Sequence, residues 1–379
     1  MHDPRRVRHR VGGPQPHRLP VVHPTIQAMF HPAAGLTYLD TATYGLPPDP
    51  TLRVMREAQD AWQAGTGIWV EWDREAERAR AAFGRLIGAS AARVALMPGV
   101  SVGVGLVAAN LKPGDRVVMP AAEFTSVMFP LLVARERGVE IVEVDDIHRL
   151  ADAITPGTTL VALSLVQMQT GRVLPVGEIV ERAEAVGAQV LLDATHGVPF
   201  VSLDDVIDRI DYLVVAAYKH LLCPRGVAFL VVRDDHIGRL PPILSNWRSS
   251  DAPYSHFFGG PLALAEGAAR YDVSFGWITW IGAAASLELL VDWQASGALD
   301  EPVALARDLA ARLGIEWGGG TLVCPHIDDP DRVKAALTEH RVKAAFRGTA
   351  LRLSTHVYND DADIERAVAA IEPLVALPT

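Results

Sequence analysis

A chain of 379 residues with 49% hydrophobic side chains can bury a large core, and its length suits one large domain with a smaller companion. Its formal net charge of −10 argues against a nucleic-acid or anionic-membrane surface. The two cysteines, Cys223 and Cys324, lie far apart and outside any CxxC spacing, so they indicate neither a disulfide framework nor a zinc site and fit a reducing, cytoplasmic setting.

The opening "MHDPRRVRHRVGGPQPHRLP" is rich in Arg, Pro and Gly and has no apolar stretch long enough for a signal peptide or a membrane span, so residues 1–36 are expected to be a disordered leader. Residues 37–60, "TYLDTATYGLPPDPTLRVMREAQD", should join two domains. From about residue 90 the runs "RVALMPG", "DRVVMPA", "VEIVEVD", "TLVALSLV", "AQVLLDAT" and "DYLVVAAY" alternate with helical stretches such as "LLVARERG" and "VGEIVERAEAVG", the pattern of βαβ crossovers. Strands this apolar should be covered on both faces. A further run, "GVAFLVV", follows after "CPRG", too short for a crossover helix, and should pair antiparallel. The expectation is an α/β fold with a seven-stranded mixed sheet over residues 61–280.

Beyond residue 280 the pattern becomes helix ("IGAAASLELLVDW"), strand ("GTLVCPHID"), strand ("ALRLSTHVY") and a helix opened by capping residues ("NDDADIERAVAAIEPLV"), which predicts a small α+β domain over residues 281–379.

In open α/β sheets ligands sit outside the carboxyl ends of the strands. Four strand ends stand out there. "MPGVSVGVGLVAANL" runs from a strand through a Gly-Val-Ser turn into a helix whose first amides, at Val100 and Ser101, would face an anion. "PAAEF" sets Glu123 and Phe124 at a strand end. "LLDATHG" ends a strand with Asp193, followed by His196, and "AAYKHLL" places Lys219 at the end of the next. Singly each reads as a cap, an Asx turn or core. Together, an anion-binding helix start, a carboxylate and a lysine behind a buried strand ask for pyridoxal 5'-phosphate.

At these residues the sequence resembles the class V aminotransferase family of fold-type I pyridoxal-phosphate enzymes, which includes cysteine desulfurases, kynureninase and isopenicillin N epimerase. The resemblance runs from "YLDTATYGLPP" to "LRLSTHVYNDDADIERAV", with "LLDATHG" and "YKHLLCPRGVAFLVV" as its most telling blocks. It implies that Lys219 holds the cofactor covalently and acts as general base, that Asp193 faces the pyridine nitrogen and that His196 lies near the ring hydroxyl. It implies further that Val100, Ser101 and Tyr218 attend the phosphate, that Phe124 stacks on the ring, and that Arg352, with Thr43 and Tyr44, receives the substrate. Arg347 is a second arginine close by, either another carboxylate clamp or a surface residue. A homodimer is implied, with the aromatic "FFGG" and "FGWITW" stretches suited to its interface.

The sequence departs from the family pattern at several points. Ala216 stands where a hydroxyl often touches the phosphate, and Tyr218 where a histidine often does. The Gly-Thr that reaches across the dimer is not apparent in "RYDVSFGWITWIG". No cysteine occurs in "AFRGTALRLSTHVYN", where a desulfurase needs its nucleophile, so that reading ranks low. What remains is an enzyme that removes the Cα proton of a small-molecule α-amino acid. Aminotransferase-type chemistry is expected, with a Cβ–S lyase or an epimerase as alternatives and a non-catalytic regulator as the reading from another class. Trp69, Trp72, Tyr254, His256 and Trp277 are candidates for the substrate pocket, although aromatic residues are more often core or interface.

Overall fold

The computed structural model describes residues 23–375, so most of the expected leader lies outside the described residues. The part of it that is described folds onto the protein: after the single turn α1 (Pro24–Gln27), Ile26 and Phe30 are buried, and the Phe30 ring lies 6.1 Å from Trp293 and 5.0 Å from Tyr358. Two large apolar side chains at helical spacing are enough to anchor this stretch, against the expectation of disorder through residue 36.

The chain continues through β1 (Thr37–Tyr38), α2 (Asp49–Ala64) and α3 (Trp69–Ile87) into the alternating region. That region comprises β2 (Val94–Met97), α4 (Val100–Asn110), β3 (Arg116–Pro120), α5 (Thr125–Arg135), β4 (Glu140–Val144), α6 (Leu150–Ala153), β5 (Thr158–Ser164), α7 (Val176–Val186), β6 (Gln189–Asp193), β7 (Tyr212–Ala216) and β8 (Ala228–Val232). Seven strands form one sheet in the order β2-β8-β7-β6-β5-β3-β4. β8 runs antiparallel to both neighbours and all other pairings are parallel, as the short "CPRG" turn requires. Side chains alternate between the two faces. Leu96, Val161, Leu192, Leu213 and Phe229 pack with α3, α7 and α8 (Trp277–Ser296). Met97, Leu160, Leu191, Val214 and Leu230 pack with α4 and α5 on the other side. The exception to two-sided burial is the edge strand β4, where Glu140 and Glu143 are exposed and protect an otherwise open strand edge.

After α8 come α9 (Asp300–Arg312), β9 (Leu322–Val323), α10 (Pro330–Glu339), β10 (Val342–Lys343), β11 (Ala345–Arg347), β12 (Ala350–Ser354) and α11 (Asp361–Ile371). β11, β12 and β9 form an antiparallel sheet with its own core, built from Leu305, Leu309, Val333, Leu351, Leu353 and Ile364. Two helices and two short strands in this part exceed the helix-strand-strand-helix pattern of the sequence. α8 begins the predicted small domain at residue 281, yet Trp280, Ala283, Leu287 and Leu290 belong to the core of the large sheet, so a border at 280 would cut a helix that packs as one unit. Leu39, by contrast, sits in the core of the C-terminal unit, and β1 pairs with β10. Residues 37–48 therefore pass from that unit to the large sheet. Among the described residues no helix is long and apolar enough to cross a membrane.

Candidate active site

The carboxyl ends of β3, β5, β6 and β7 open into a cleft of about 250 Å³, lined among others by Val100, Ser101, Phe124, Ser164, Asp193, His196, Tyr218 and Lys219. Most of the residues selected from the sequence are therefore neighbours in space, although they come from four strand ends, those of β2, β3, β6 and β7. Their convergence follows from the parallel register, in which Ser164 pairs with Asp193 and Asp193 with Val214.

Lys219 follows β7 on a tight turn closed by the Leu222 amide, which donates to the Lys219 carbonyl at 3.1 Å. Leu222 pays for this turn with a φ of 54°, a region that branched side chains avoid. The N-terminal strap presses on the turn from outside: the Gly45 amide donates to the Tyr218 carbonyl at 2.9 Å, and a Cβ at Gly45 would overlap the Lys219 carbonyl oxygen. The lysine is thus held from two sides. Its Nζ lies 3.1 Å from His196 Nε2, 5.3 Å from the Phe124 ring centroid and 5.9 Å from that of Tyr218. Burial pushes its pKa down to about 8, Asp193 opposes the shift, and Arg352, Arg347 and Arg225 add to it. At that value roughly a tenth of the amine is neutral at pH 7, far more than for an exposed lysine.

Asp193 is 5% exposed and has no cation within ion-pair distance among the described residues. Its Oδ1 accepts the Thr195 amide at 2.8 Å, and burial raises its pKa. Thr195 in turn accepts the Ala216 amide through Oγ1 at 2.9 Å, which ties the end of β6 to the end of β7. Burial, then Lys219, drives the His196 pKa well below its usual value, so its ring is neutral. Its Nδ1 has no partner. Glu123 accepts from Ser164 Oγ at 2.5 Å, from the Ser164 amide at 2.7 Å and from the Phe124 amide at 2.6 Å, fixing the loop that presents Phe124. α4 begins at Val100 with Gly99 as its cap and no side chain capping its first amides, which leaves those donors directed at the cleft.

On the side of the C-terminal unit, Arg352 on β12 is 1% exposed and donates through Nη2 to Thr43 Oγ1 at 2.8 Å, while its Nε and Nη1 have no partner. Arg347 reaches the same Thr43 oxygen at 3.4 Å. Burial and then Arg347 lower the Arg352 pKa to about 10. Tyr44 is 48% exposed beside them, on the wall of an adjoining groove that also includes Thr43.

Some sequence candidates fall elsewhere. Trp69, Trp72, Tyr254, His256 and Trp277 are not among the cleft residues. Trp69, Tyr254 and Trp277 cluster, and both Tyr254 and Trp277 donate to the buried Asp73. Aromatic side chains alone carry no address in the sequence, and these answer to an ion network. Other residues of the cleft escaped the sequence reading. Thr195 and Ser164 are small hydroxyls inside strand ends already singled out, a signal that was present. Outside the cleft lining, His220 and His356 form a buried stack with ring centroids 6.3 Å apart, and nothing in the sequence relates two histidines so far apart.

Residues 37–313 match the family model described as Aminotransferase class-V, and the chain belongs to that family. It is 31% identical over 221 residues to a "Probable cysteine desulfurase" of Methanothermobacter thermautotrophicus, a stretch covering 55% of each protein, so the match spans about half the length of that relative. It is 28% identical to the isopenicillin N epimerase of Streptomyces clavuligerus over 346 residues, covering 78% of this chain and 84% of the epimerase. The apo cysteine desulfurase of Thermococcus onnurineus NA1 superposes with a TM-score of 0.79 at 19% identity, covering 94% of this chain and 98% of that one. This is the fold-type I architecture.

Pyridoxal 5'-phosphate is the cofactor of the family. The cleft fits it on its own chemistry: a buried amine of lowered pKa, an acid without a cation, an uncapped helix start, and unpartnered nitrogens on His196 and Arg352.

Proposed function

We propose that this class V enzyme performs aminotransferase-type chemistry on an α-amino acid. The observation that carries the reading is Lys219 itself, a buried amine of lowered pKa at the bottom of the cleft, 3.1 Å from a neutral histidine. When bound, the cofactor supplies a protonated pyridine ring that accepts the negative charge developing at the substrate Cα. In this reading Lys219 would hold the cofactor, and its amine would take the substrate's Cα proton. Asp193 holds the proton on the ring nitrogen, and the Thr195 amide keeps its carboxylate in place. His196 attends the ring hydroxyl, Phe124 covers the ring, and the first amides of α4 at Val100 and Ser101, with Tyr218, hold the phosphate. Arg352 takes the substrate carboxylate on the guanidinium edge that Thr43 leaves free, with Tyr44 at the rim.

Transamination needs one base that takes a proton and returns it close by, and Lys219 can do both. Epimerisation is the second reading, supported by the likeness to the Streptomyces epimerase over most of both chains. Desulfurase chemistry finds no support among the described residues: neither Cys223 nor Cys324 lines the cleft, and burial pushes the Cys324 thiol up to about 12 and the Cys223 thiol higher still. As partner we propose a second copy of the chain, supported by the exposure of Phe257, Phe258 and Leu262. The free state of both cysteines supports a cytoplasmic setting.

The test combines a variant with a product assay. Lys219→Ala should lose the borohydride-reducible cofactor adduct entirely, and an adduct that persists would overturn the assignment of the lysine. In an amino-acid panel the wild-type enzyme should release keto acid in step with amino transfer to an acceptor keto acid. Ammonia or sulfide as the main product, or inversion of the substrate without keto acid, would replace the aminotransferase reading with a lyase or an epimerase.

A further inference from the structure

We infer that the cleft takes an α-amino acid whose side chain bears a second acidic group, with the α-carboxylate on Arg352 and the side-chain acid on Arg347. The inference rests on the reading of the site as an α-amino-acid enzyme.

Arg347 ends β11 and Arg352 lies on the adjacent β12, in the register Ala345 to Arg352 and Arg347 to Ala350. Both guanidinium groups converge on Thr43 Oγ1, at 3.4 and 2.8 Å. Two like charges on one hydroxyl repel each other, and although Asp40 partly offsets Arg352, neither arginine makes an ion pair among the described residues. The chain does not lack acids, with 45 Asp and Glu against 35 Lys and Arg. Burial of Arg352 beside a like charge is costly, while the half-buried Arg347 keeps part of its hydration; an anion on each guanidinium offsets that repulsion.

The number of anions follows from the donors. A guanidinium has two forks, Nε with Nη2 and Nη1 with Nη2; Thr43 takes one N–H of Nη2, and with Nε and Nη1 buried and unpartnered one complete fork is left for one carboxylate. That uses the α-carboxylate and leaves Arg347 over. The cofactor phosphate does not use it, because the first amides of α4 and the cation Arg225 line the cleft with Ser101. A further acidic group on the substrate answers the remaining charge. An apolar groove of about 410 Å³, lined by Thr43, Leu52, Met55 and Leu222, adjoins the site and is the other place a side chain could go, but an apolar side chain lodged there would leave Arg347 without a counter-charge.

The experiment uses the cofactor-loaded protein and unreactive acids that lack an amine: glutarate and adipate against butyrate and hexanoate, with affinities measured by calorimetry. The better dicarboxylate should bind roughly tenfold or more tightly than its monocarboxylate counterpart, the worth of one charge-assisted contact. Arg347→Gln should abolish that preference while leaving monocarboxylate affinity unchanged, and Arg347→Lys should restore part of it. Equal affinities in the wild type, or tighter binding of hexanoate than of adipate, would overturn the inference in favour of an apolar substrate. A loss of mono- and dicarboxylate affinity alike in Arg347→Gln would overturn it by assigning both arginines to one carboxylate. Failure of the underlying reading shows separately, as a wild-type protein that takes up no pyridoxal phosphate on Lys219.

Discussion

Two buried arginines of this protein have opposite surroundings. Arg248, with its side chain 2% exposed, lies against Asp73, Glu77 and Asp272, and Asp272 also holds Arg80 and accepts the Leu96 amide of β2 at 2.8 Å. Arg352, equally buried, makes no ion pair among the described residues, and the charges that act on it are first Arg347 and then Asp40. A buried charge costs several kcal/mol unless something pairs with it. Around Arg248 the pairing is internal, so the network serves to fix α3 against residues 246–272. Around Arg352 the pairing is missing, and the same holds for Asp193 and Lys219, so this region is complete only with a ligand that brings a cation to the acid and an anion to the arginine.

The comparison breaks most visibly in stability. Arg248→Leu should cost about 3–5 kcal/mol, because Asp73 and Asp272 are left buried without their counter-charge. Arg352→Leu should leave stability within about 1 kcal/mol of wild type, since no acid loses an ion pair. Chemical denaturation of the two variants decides the matter. If Arg352→Leu proves the more damaging, the contrast between a structural and a ligand-binding arginine is wrong.

A second break lies in turnover, on the acidic side of the cleft. Asp193→Asn keeps the Thr195 hydrogen bond through its amide oxygen but cannot hold a positive charge on the ring nitrogen. Turnover should fall roughly a hundredfold or more, ~3 kcal/mol in the barrier, with cofactor still bound. Steady-state kinetics beside the absorbance of the bound cofactor separates the two effects. Near-normal turnover would show that Asp193 needs no cation and that its isolation has no functional meaning.

The same contrast explains what could be seen in the sequence. The sheet was legible because its strands are continuous apolar runs separated by crossover helices, and the antiparallel β8 because "CPRG" leaves no room for a helix. Asp193 and Lys219 were legible because they interrupt such runs at their carboxyl ends, where charge has no structural reason to be. The ion network was not: Asp73, Arg248 and Asp272 sit on elements that read as ordinary surface helix and loop, and their burial depends on packing between segments remote in the chain. Trp69 and Trp277 could be pocket, core or interface by sequence for the same reason, since an aromatic side chain does not reveal which partner it will find. Arg352 was legible by resemblance alone, but the sharing of Thr43 with Arg347 arises from a β11–β12 pairing and a strap from the N-terminal side that no local pattern foretells.

The smallest predicted effect is the most selective test of that shared site. Arg352→Lys keeps the positive charge and most of the length but replaces a planar fork with a single ammonium that cannot make two parallel hydrogen bonds to a carboxylate. The α-carboxylate would still be attracted but no longer oriented, and its orientation decides which Cα bond stands where Lys219 can reach it. Amino-acid affinity and turnover should therefore each fall by roughly tenfold, about 1.4 kcal/mol, while stability and the resting cofactor absorbance stay as in wild type. The paired variant Arg347→Lys should spare monocarboxylic amino acids. If instead Arg352→Lys behaves like wild type and Arg347→Lys shows the general defect, the α-carboxylate belongs on Arg347. In that case the unpartnered Nε and Nη1 of Arg352 are simply the cost of a tightly packed strand.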